Sequence, residues 1–105
     1  MAWRRGQDEV PVPDPFNVGT VALAAAQARC TTAIIGQVTR MRSNPTSGQP
    51  QLEIRVSDDS GDALVVWSGR RAIGGVTLGR RLRIDGVARR EGKLLVFANP
   101  AYTLC

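Results

Sequence analysis

The feature that most constrains this chain is a series of five short apolar segments separated by polar, glycine-containing turns. The segments are rich in β-branched residues, which are typical of strands. The second, QLEIRVS, alternates apolar and polar residues as a half-buried strand does. No crossover helix separates the segments, which argues against a parallel sheet. The pattern predicts an all-β fold, a small closed barrel, with a small sandwich as the alternative. The predicted strands are residues 31–41, 51–57, 63–68, 81–88 and 94–98.

The first part of the chain has a different composition. Residues 1–17 are charged and contain EVPVPDPFN, whose prolines exclude a helix interior or a central strand. We therefore predict a flexible tail over residues 1–17 and a single domain over residues 18–105. Residues 20–29, TVALAAAQAR, are rich in alanine, and Thr20 is a suitable N-cap. This run predicts a short N-terminal helix packed against the strands.

The charge of the chain is concentrated on the predicted barrel. The net charge is +5, and all of this excess lies within residues 30–93. A basic body favours polyanionic partners, which are nucleic acid, acidic protein or anionic lipid. Thirteen of the fourteen basic residues are arginine, which suits bidentate phosphate contacts and stacking on bases. A GC-rich genome explains the preference for arginine equally well, but it does not remove the charge.

The residues that catalysis and metal binding need are scarce. The chain has no histidine, and its two cysteines, Cys30 and Cys105, lack metal-ligand spacing. The aspartates at 58, 59 and 62 fall in a turn, where this residue type is favoured for its geometry. We expect no enzyme activity, no cofactor and no metal. No apolar run is long enough to span a bilayer, and no signal-peptide pattern precedes the barrel. These features predict a cytoplasmic protein with no membrane partner and with reduced cysteines.

Four motifs, taken in order, resemble the oligonucleotide/oligosaccharide-binding (OB) fold. IIGQV at 34–38 is similar to its first strand, DDSGDALVVWSGRR at 58–71 to its second turn and third strand, and LGRRLRIDGVA at 78–88 to its fourth strand. GKLLVFANPAY at 92–102 resembles the end of the wedge-type OB domain of branch-migration helicases. The whole also resembles small OB proteins of actinobacteria. The chain lacks the helix that usually plugs the barrel between strands three and four, and the predicted N-terminal helix is a substitute for it.

The resemblance implies a five-stranded Greek-key barrel that binds single strands across strands two and three and the adjoining loops. Such a groove needs cations along the phosphates and flat side chains for the bases. If Leu64 and Val66 continue the interior set of strand two, Trp67 faces outward beside Arg55. A one-residue bulge would reverse this parity and leave Trp67 packed instead. The candidate nucleic-acid-binding residues are Arg40, Arg42, Arg55, Trp67, Arg70, Arg71, Arg89, Arg90 and Lys93.

Two functions remain open at this point. The first is a nucleic-acid-binding module for single strands, DNA in preference to RNA, for which the helicase resemblance implies a role in repair or recombination. The second is a protein-interaction or oligomerisation module, in which Val65 and Trp67 are covered by a partner. One continuous basic face with an exposed Trp67 would favour the first function, and an apolar patch over Trp67 would favour the second.

Overall fold

The computed structural model describes residues 14–43 and 49–105, and in these ranges the regular secondary structure is almost entirely β-strand. The predicted tail at 1–17 lies outside the described residues except for its last four, and so do residues 44–48 of the first loop. No helix in the described ranges has the length and apolarity that crossing a membrane requires. The elements are α1 (Asp14–Asn17), a 3₁₀ turn η1 (Leu23–Ala25), β1 (Thr31–Ser43), β2 (Gln51–Asp58), β3 (Gly61–Ser68), β4 (Arg81–Glu91), β5 (Leu94–Ala98) and β6 (Ala101–Leu104).

The strands form one sheet that closes on itself. The pairing order is β1-β2-β3-β5-β4, and β4 pairs with β1 to complete a ring of five strands. All these pairings are antiparallel except the parallel one between β3 and β5. A single closed sheet confirms the all-β prediction and excludes the two-sheet sandwich for the described part of the chain. It also encloses the hydrophobic core within the ring.

The long first strand serves both β4 and β2 because of two local features. Gly36 lets the backbone approach β2 closely, since a Cβ at this position would lie 2.8 Å from the Cβ of Val56. The register with β2 then shifts by one residue between Val38 and Arg40. This bulge at Thr39 changes which side chains face inward, so that Met41 packs against the core while Arg40 stays exposed. The irregularity in β1 therefore lies three residues after Gly36.

The β2–β3 hairpin fixes the interior of one side of the ring. Asp58 pairs with Gly61 across a two-residue turn, and this register places Leu52 opposite Trp67. Directly opposite residues of an antiparallel pair lie on the same face. Because Leu52 points into the core, Trp67 does so too, and it is only 5 % exposed. The predicted outward position of Trp67 is therefore wrong.

The predicted helix over residues 20–29 is also wrong. The segment contains only the 3₁₀ turn, and Arg29 has a left-handed φ of 67°. The N–H groups of Ala25 and Ala26 bond within the turn, but others of the segment bond to the sheet, as from Val21 to the carbonyl of Ala33 and from Arg29 to that of Ala88. The segment still closes one side of the core, because Leu23 is buried there. Tertiary hydrogen bonds have overridden the helix propensity of the alanines.

The connection between β3 and β4, residues 69–80, contains no helix and buries Ile73 and Val76 in the core. It passes so close to β6 that a Cβ at Gly75 would collide with a methyl of Leu104. The sequence prediction ended the sheet at residue 98, so it missed β6, which pairs with β4. Cys30 and Cys105 are both free thiols.

Asp58 fastens the N-terminal segment to the hairpin. One carboxylate oxygen accepts hydrogen bonds from the N–H groups of Ser60 and Gly61 and from the Ser60 hydroxyl, at 2.6–3.0 Å. The other accepts the N–H of Leu23 at 2.8 Å. Burial alone would raise the pKa of Asp58, but these four hydrogen bonds hold the pKa below its ordinary value.

We expect Asp58→Asn to lower the free energy of unfolding by about 1 kcal/mol at neutral pH, since an amide nitrogen cannot accept the hydrogen bonds. A carboxylate whose pKa is lower in the folded state stabilises the fold above its ordinary pKa. That stabilisation is lost as the pH falls through the folded pKa. Urea unfolding at about pH 7 and about pH 2 should therefore show the gap between wild type and variant narrowing in acid. An equal gap at both pH values would contradict this role of the carboxylate.

Candidate nucleic-acid interface

Three of the predicted arginines lie together on the outside of β1 and β2. Arg40 pairs directly with Arg55, and Arg42 pairs with Glu53, on the strand faces opposite to the core. All three arginines belong to strands, because β1 extends to Ser43, two residues beyond the predicted end of the first strand. They line a cleft of about 280 Å³ whose apolar wall includes Leu64 and Leu94. We call Arg40, Arg42 and Arg55, with Leu64 and Leu94, the arginine face.

Carboxylates neutralise part of the arginine face. Arg42 forms an ion pair with Glu53 at 3.6 Å, and Arg55 one with Asp62 at 3.1 Å. Both pairs are partly exposed, so each contributes little to stability. Within residues 14–43 and 49–105, Arg40 forms no ion pair and keeps its charge uncompensated. The arginine face is therefore cationic. Arg40 is directly available to an anionic ligand, and Arg42 and Arg55 become available if a phosphate displaces their carboxylate partners.

Trp67 cannot act as a stacking platform in this structure. Its indole N–H donates a buried hydrogen bond of 3.1 Å to the carbonyl of Pro100. Its ring contacts Tyr102 edge to face, with ring centres 5.6 Å apart. Trp67 thus anchors β3 to the start of β6, which is a packing role.

The cations around the β4–β5 turn point to different surfaces. The sequence predicted that Arg89, Arg90 and Lys93 share a loop, but β4 extends to Glu91, so both arginines belong to the strand. Arg89 is opposite Val96 and bonds Glu91, which places it beyond β5 from the arginine face. Arg90 is opposite the core residue Leu95 and faces the end of the ring. Arg90 and Lys93 line a separate cleft beneath the N-terminal segment.

Arg70 and Arg71 lie at the far end of β3 from that cleft. Both are exposed, and Arg70 lines a third cleft with Trp67 and Tyr102. Apart from the buried Trp67 and from Arg89 beyond β5, the predicted residues therefore fall into the arginine face, the β4–β5 cleft and this distal loop. Since β3 has eight residues, its two ends are roughly 23 Å apart at the usual rise along a strand.

The described aromatic side chains are all withdrawn from the surface to some degree. Trp67 and Phe97 are buried, and Phe16 and Tyr102 are half-buried. A single-strand groove ordinarily offers flat side chains to successive bases. Residues 14–43 and 49–105 offer the arginine side chains for that purpose but no fully exposed aromatic ring.

Sequence reasoning missed the apolar part of the interface. It assigned Leu64 to the interior, whereas Leu64 faces outward beside Arg55. The signal that could have found it is the two-residue turn after Asp58, because the hairpin register follows from the turn and determines the face of each β3 residue.

Comparison with known proteins shows that other proteins have a similar fold, but it does not identify a family for this chain. No protein-family model matches the chain, and no curated protein matches it. A solved structure described as "Structural mimicry for functional antagonism" superposes with a TM-score of 0.63 at 11 % identity, covering 95 % of this chain and 54 % of that one. The Ifi202 HINa domain in complex with 20bp dsDNA superposes with a TM-score of 0.59 at 13 % identity, covering 96 % and 56 %. The fold is OB-like. The chain spans about half the length of each of these two solved chains.

Proposed function

We propose that the chain is a nucleic-acid-binding module built on a Greek-key OB-type barrel. The observation that carries this proposal is the arginine face, where Arg40 and Arg55 are paired across β1 and β2 on an exposed surface. Within this face, Arg55 and Leu64 lie on β2 and β3, the strands that the OB resemblance assigns to ligand binding, and Arg40 and Arg42 adjoin them on β1. The HINa domain of similar fold has been solved in complex with double-stranded DNA, which supports the same class of ligand.

The ligand is proposed to be bound through its phosphates. The sequence predicted a single strand, with DNA preferred to RNA, partly because Trp67 was expected to stack on bases. With Trp67 buried, the remaining binding energy comes from cations, which recognise the backbone of single and double strands alike. We therefore propose weak, salt-dependent and sequence-independent binding of DNA, with single-stranded and duplex DNA both to be tested. A role in repair or recombination, and the helicase and actinobacterial resemblances, rest on the sequence motifs alone.

The direct test is fluorescence anisotropy of labelled single-stranded and duplex DNA at several salt concentrations, with Arg40→Ala and Arg71→Ala as a matched pair. Each variant removes one exposed arginine that has no ion pair within the described part of the chain. We expect Arg40→Ala to weaken binding about five- to eight-fold at about 0.1 M salt and to make the salt dependence shallower by about one ion. Arg71→Ala should change neither quantity appreciably. No binding by the wild type, or equal effects of both variants, would refute the proposed interface.

Releasing Arg55 from its ion pair with Asp62 should raise the affinity for DNA. Asp62→Asn removes the carboxylate that holds Arg55 at 3.1 Å, so Arg55 becomes available to a phosphate. We expect the affinity for DNA to rise by up to about five-fold at about 0.1 M salt. Asp59→Asn, which removes an equal charge from an exposed turn position, is the control. If both variants bind equally tightly, the gain reflects net charge alone and Arg55 is not a contact.

A protein-interaction role is the second candidate. Val65 and Trp67, which the sequence offered for a partner, are buried within the chain itself. Leu64 and Leu94 leave a partly exposed apolar wall beside the arginines, which would suit an acidic partner. Retention of a monomeric mass in light scattering together with DNA binding would favour the nucleic-acid role.

A further inference from the structure

A second cleft adjoins the arginine face at the end of the ring. It has a volume of about 430 Å³ and lies between the N-terminal segment and the β4–β5 turn. Leu23 and Ala26 from the segment and Leu94 and Leu95 from β5 form its apolar walls. Leu94 lines both this cleft and the arginine face, so the two sites meet there.

The lining of this cleft has a net positive charge, with two cations and one carboxylate. Arg90 and Lys93 both line it, and neither forms an ion pair within residues 14–43 and 49–105. Asp62 is the acidic residue in the lining, and its carboxylate is bonded to Arg55 on the arginine face. Glu91, between the two cations in sequence, bonds Arg89 on the other face of β4. Two cations thus share a confined site while the neighbouring carboxylates are engaged elsewhere.

Arg90 occupies a position that the strand pattern assigns to the interior. Ala88 and Leu95, its neighbours on the same face, are core residues. A charged residue at an inward position at the end of a sheet usually extends into solvent. Here the N-terminal segment lies alongside, held by the hydrogen bonds from Leu23 to Asp58 and from Ala24 to Ser60. The segment therefore turns the open end of the ring into a walled cleft with a cationic rim.

We infer that this cleft is a second phosphate-binding site, in which Arg90 and Lys93 hold a backbone phosphate while an adjoining base or sugar lies against the apolar wall. This inference rests on the proposed function, because the ligand is the same nucleic acid, which passes from the arginine face over Leu94 into the cleft. The chemistry fits an amphipathic anion: cations for the phosphate, and aliphatic side chains for the face of a base. The N-terminal segment is then part of the binding site and not only a cover for the core.

The test compares two double variants that each lose two exposed cations, Arg90→Ala/Lys93→Ala in the cleft and Arg70→Ala/Arg71→Ala in the distal loop. Binding of labelled DNA is followed by anisotropy across a range of salt concentrations. If each cleft cation contacts a phosphate, the slope of log affinity against log salt becomes shallower by about 1.4–1.8 for the cleft variant. The corresponding loss of affinity at about 0.1 M salt is about 20-fold or more. The distal variant should keep the wild-type slope.

A variant that changes no charge distinguishes direct contact of DNA with the cleft from the long-range attraction of the protein's positive charge. Ala24 is exposed and lines the cleft, so Ala24→Phe fills the space without changing any charge, and Ala24→Ser is its conservative control. We expect Ala24→Phe to weaken binding several-fold and Ala24→Ser to bind as the wild type does. Circular dichroism and thermal unfolding check that each variant is folded.

The outcomes separate the two proposals. A wild type that binds no DNA at low salt overturns the proposed function and this inference with it. A wild type that binds, with equal slopes for the two double variants or with unchanged binding by folded Ala24→Phe, overturns the second site alone. A shallower slope for the cleft variant together with weakened Ala24→Phe supports it.

Discussion

Replacing Trp67 with alanine is expected to lower the free energy of unfolding by about 3–5 kcal/mol, the usual cost of deleting a large buried aromatic side chain. Trp67 is only 5 % exposed, packs against Tyr102 and donates its indole N–H to the carbonyl of Pro100. Its removal leaves a cavity and an unsatisfied buried carbonyl, both of which are costly. Urea unfolding monitored by circular dichroism measures the loss.

Trp67→Phe separates the two contributions. Phenylalanine retains most of the apolar area but cannot donate to Pro100, so we expect a smaller loss of about 1–2 kcal/mol. Leu78→Ala, at a side chain that is 65 % exposed, is the control and should change stability by less than about 0.5 kcal/mol. If Trp67→Ala unfolds like the control yet binds DNA more weakly, Trp67 is a surface platform and the hairpin register described above is wrong.

The second large effect is expected at Gly36. A Cβ at Gly36 would lie 2.8 Å from the Cβ of Val56 on β2 and 3.3 Å from the backbone nitrogen of Ser57. Since neither of those atoms belongs to the free end of a flexible side chain, Gly36→Ala must separate the strands or strain them. We expect a loss of about 1–3 kcal/mol in the free energy of unfolding, as for other overpacked sites.

The matched control for this change is Gly74→Ala. No atom lies within 4 Å of a Cβ built on Gly74, so the same substitution meets no obstacle there. We expect it to be neutral or to stabilise the protein by up to about 1 kcal/mol, because alanine restricts the unfolded chain. Equal destabilisation at both positions would mean that close packing of β1 on β2 is not the reason for the glycine.

The sequence predicted best where a strand has one buried and one exposed face. In β2 the alternation of Leu52, Glu53 and Ile54 identified both faces, and the structure agrees. In β3 the run ALVVW is apolar on both faces, so periodicity carried no information on its orientation. The two-residue turn after Asp58 determines the register and therefore the face of Trp67, so the orientation of β3 follows from the turn and not from its own periodicity.

The remaining differences arise from contacts between distant segments. The alanine-rich run at 20–29 has the local propensity of a helix, but its N–H groups find acceptors in Asp58 and Ser60. Those acceptors are more than thirty residues away in sequence, so no local pattern could indicate them. Likewise, Arg89 and Arg90 are adjacent in sequence but lie on opposite faces once β4 extends through them. A cluster of cations in sequence is therefore not a cluster on the surface.

The most direct test of DNA binding at the arginine face is to map the bound DNA on the protein by NMR. Amide chemical shifts of the ¹⁵N-labelled protein would be followed during titration with short single-stranded and duplex DNA at low salt. We expect changes concentrated on the outer residues of β1 and β2 around Arg40 and Arg55, extending past Leu94 to the β4–β5 turn. Changes confined to residues 69–80 around Arg70 and Arg71, or no changes at any concentration of DNA, would contradict it.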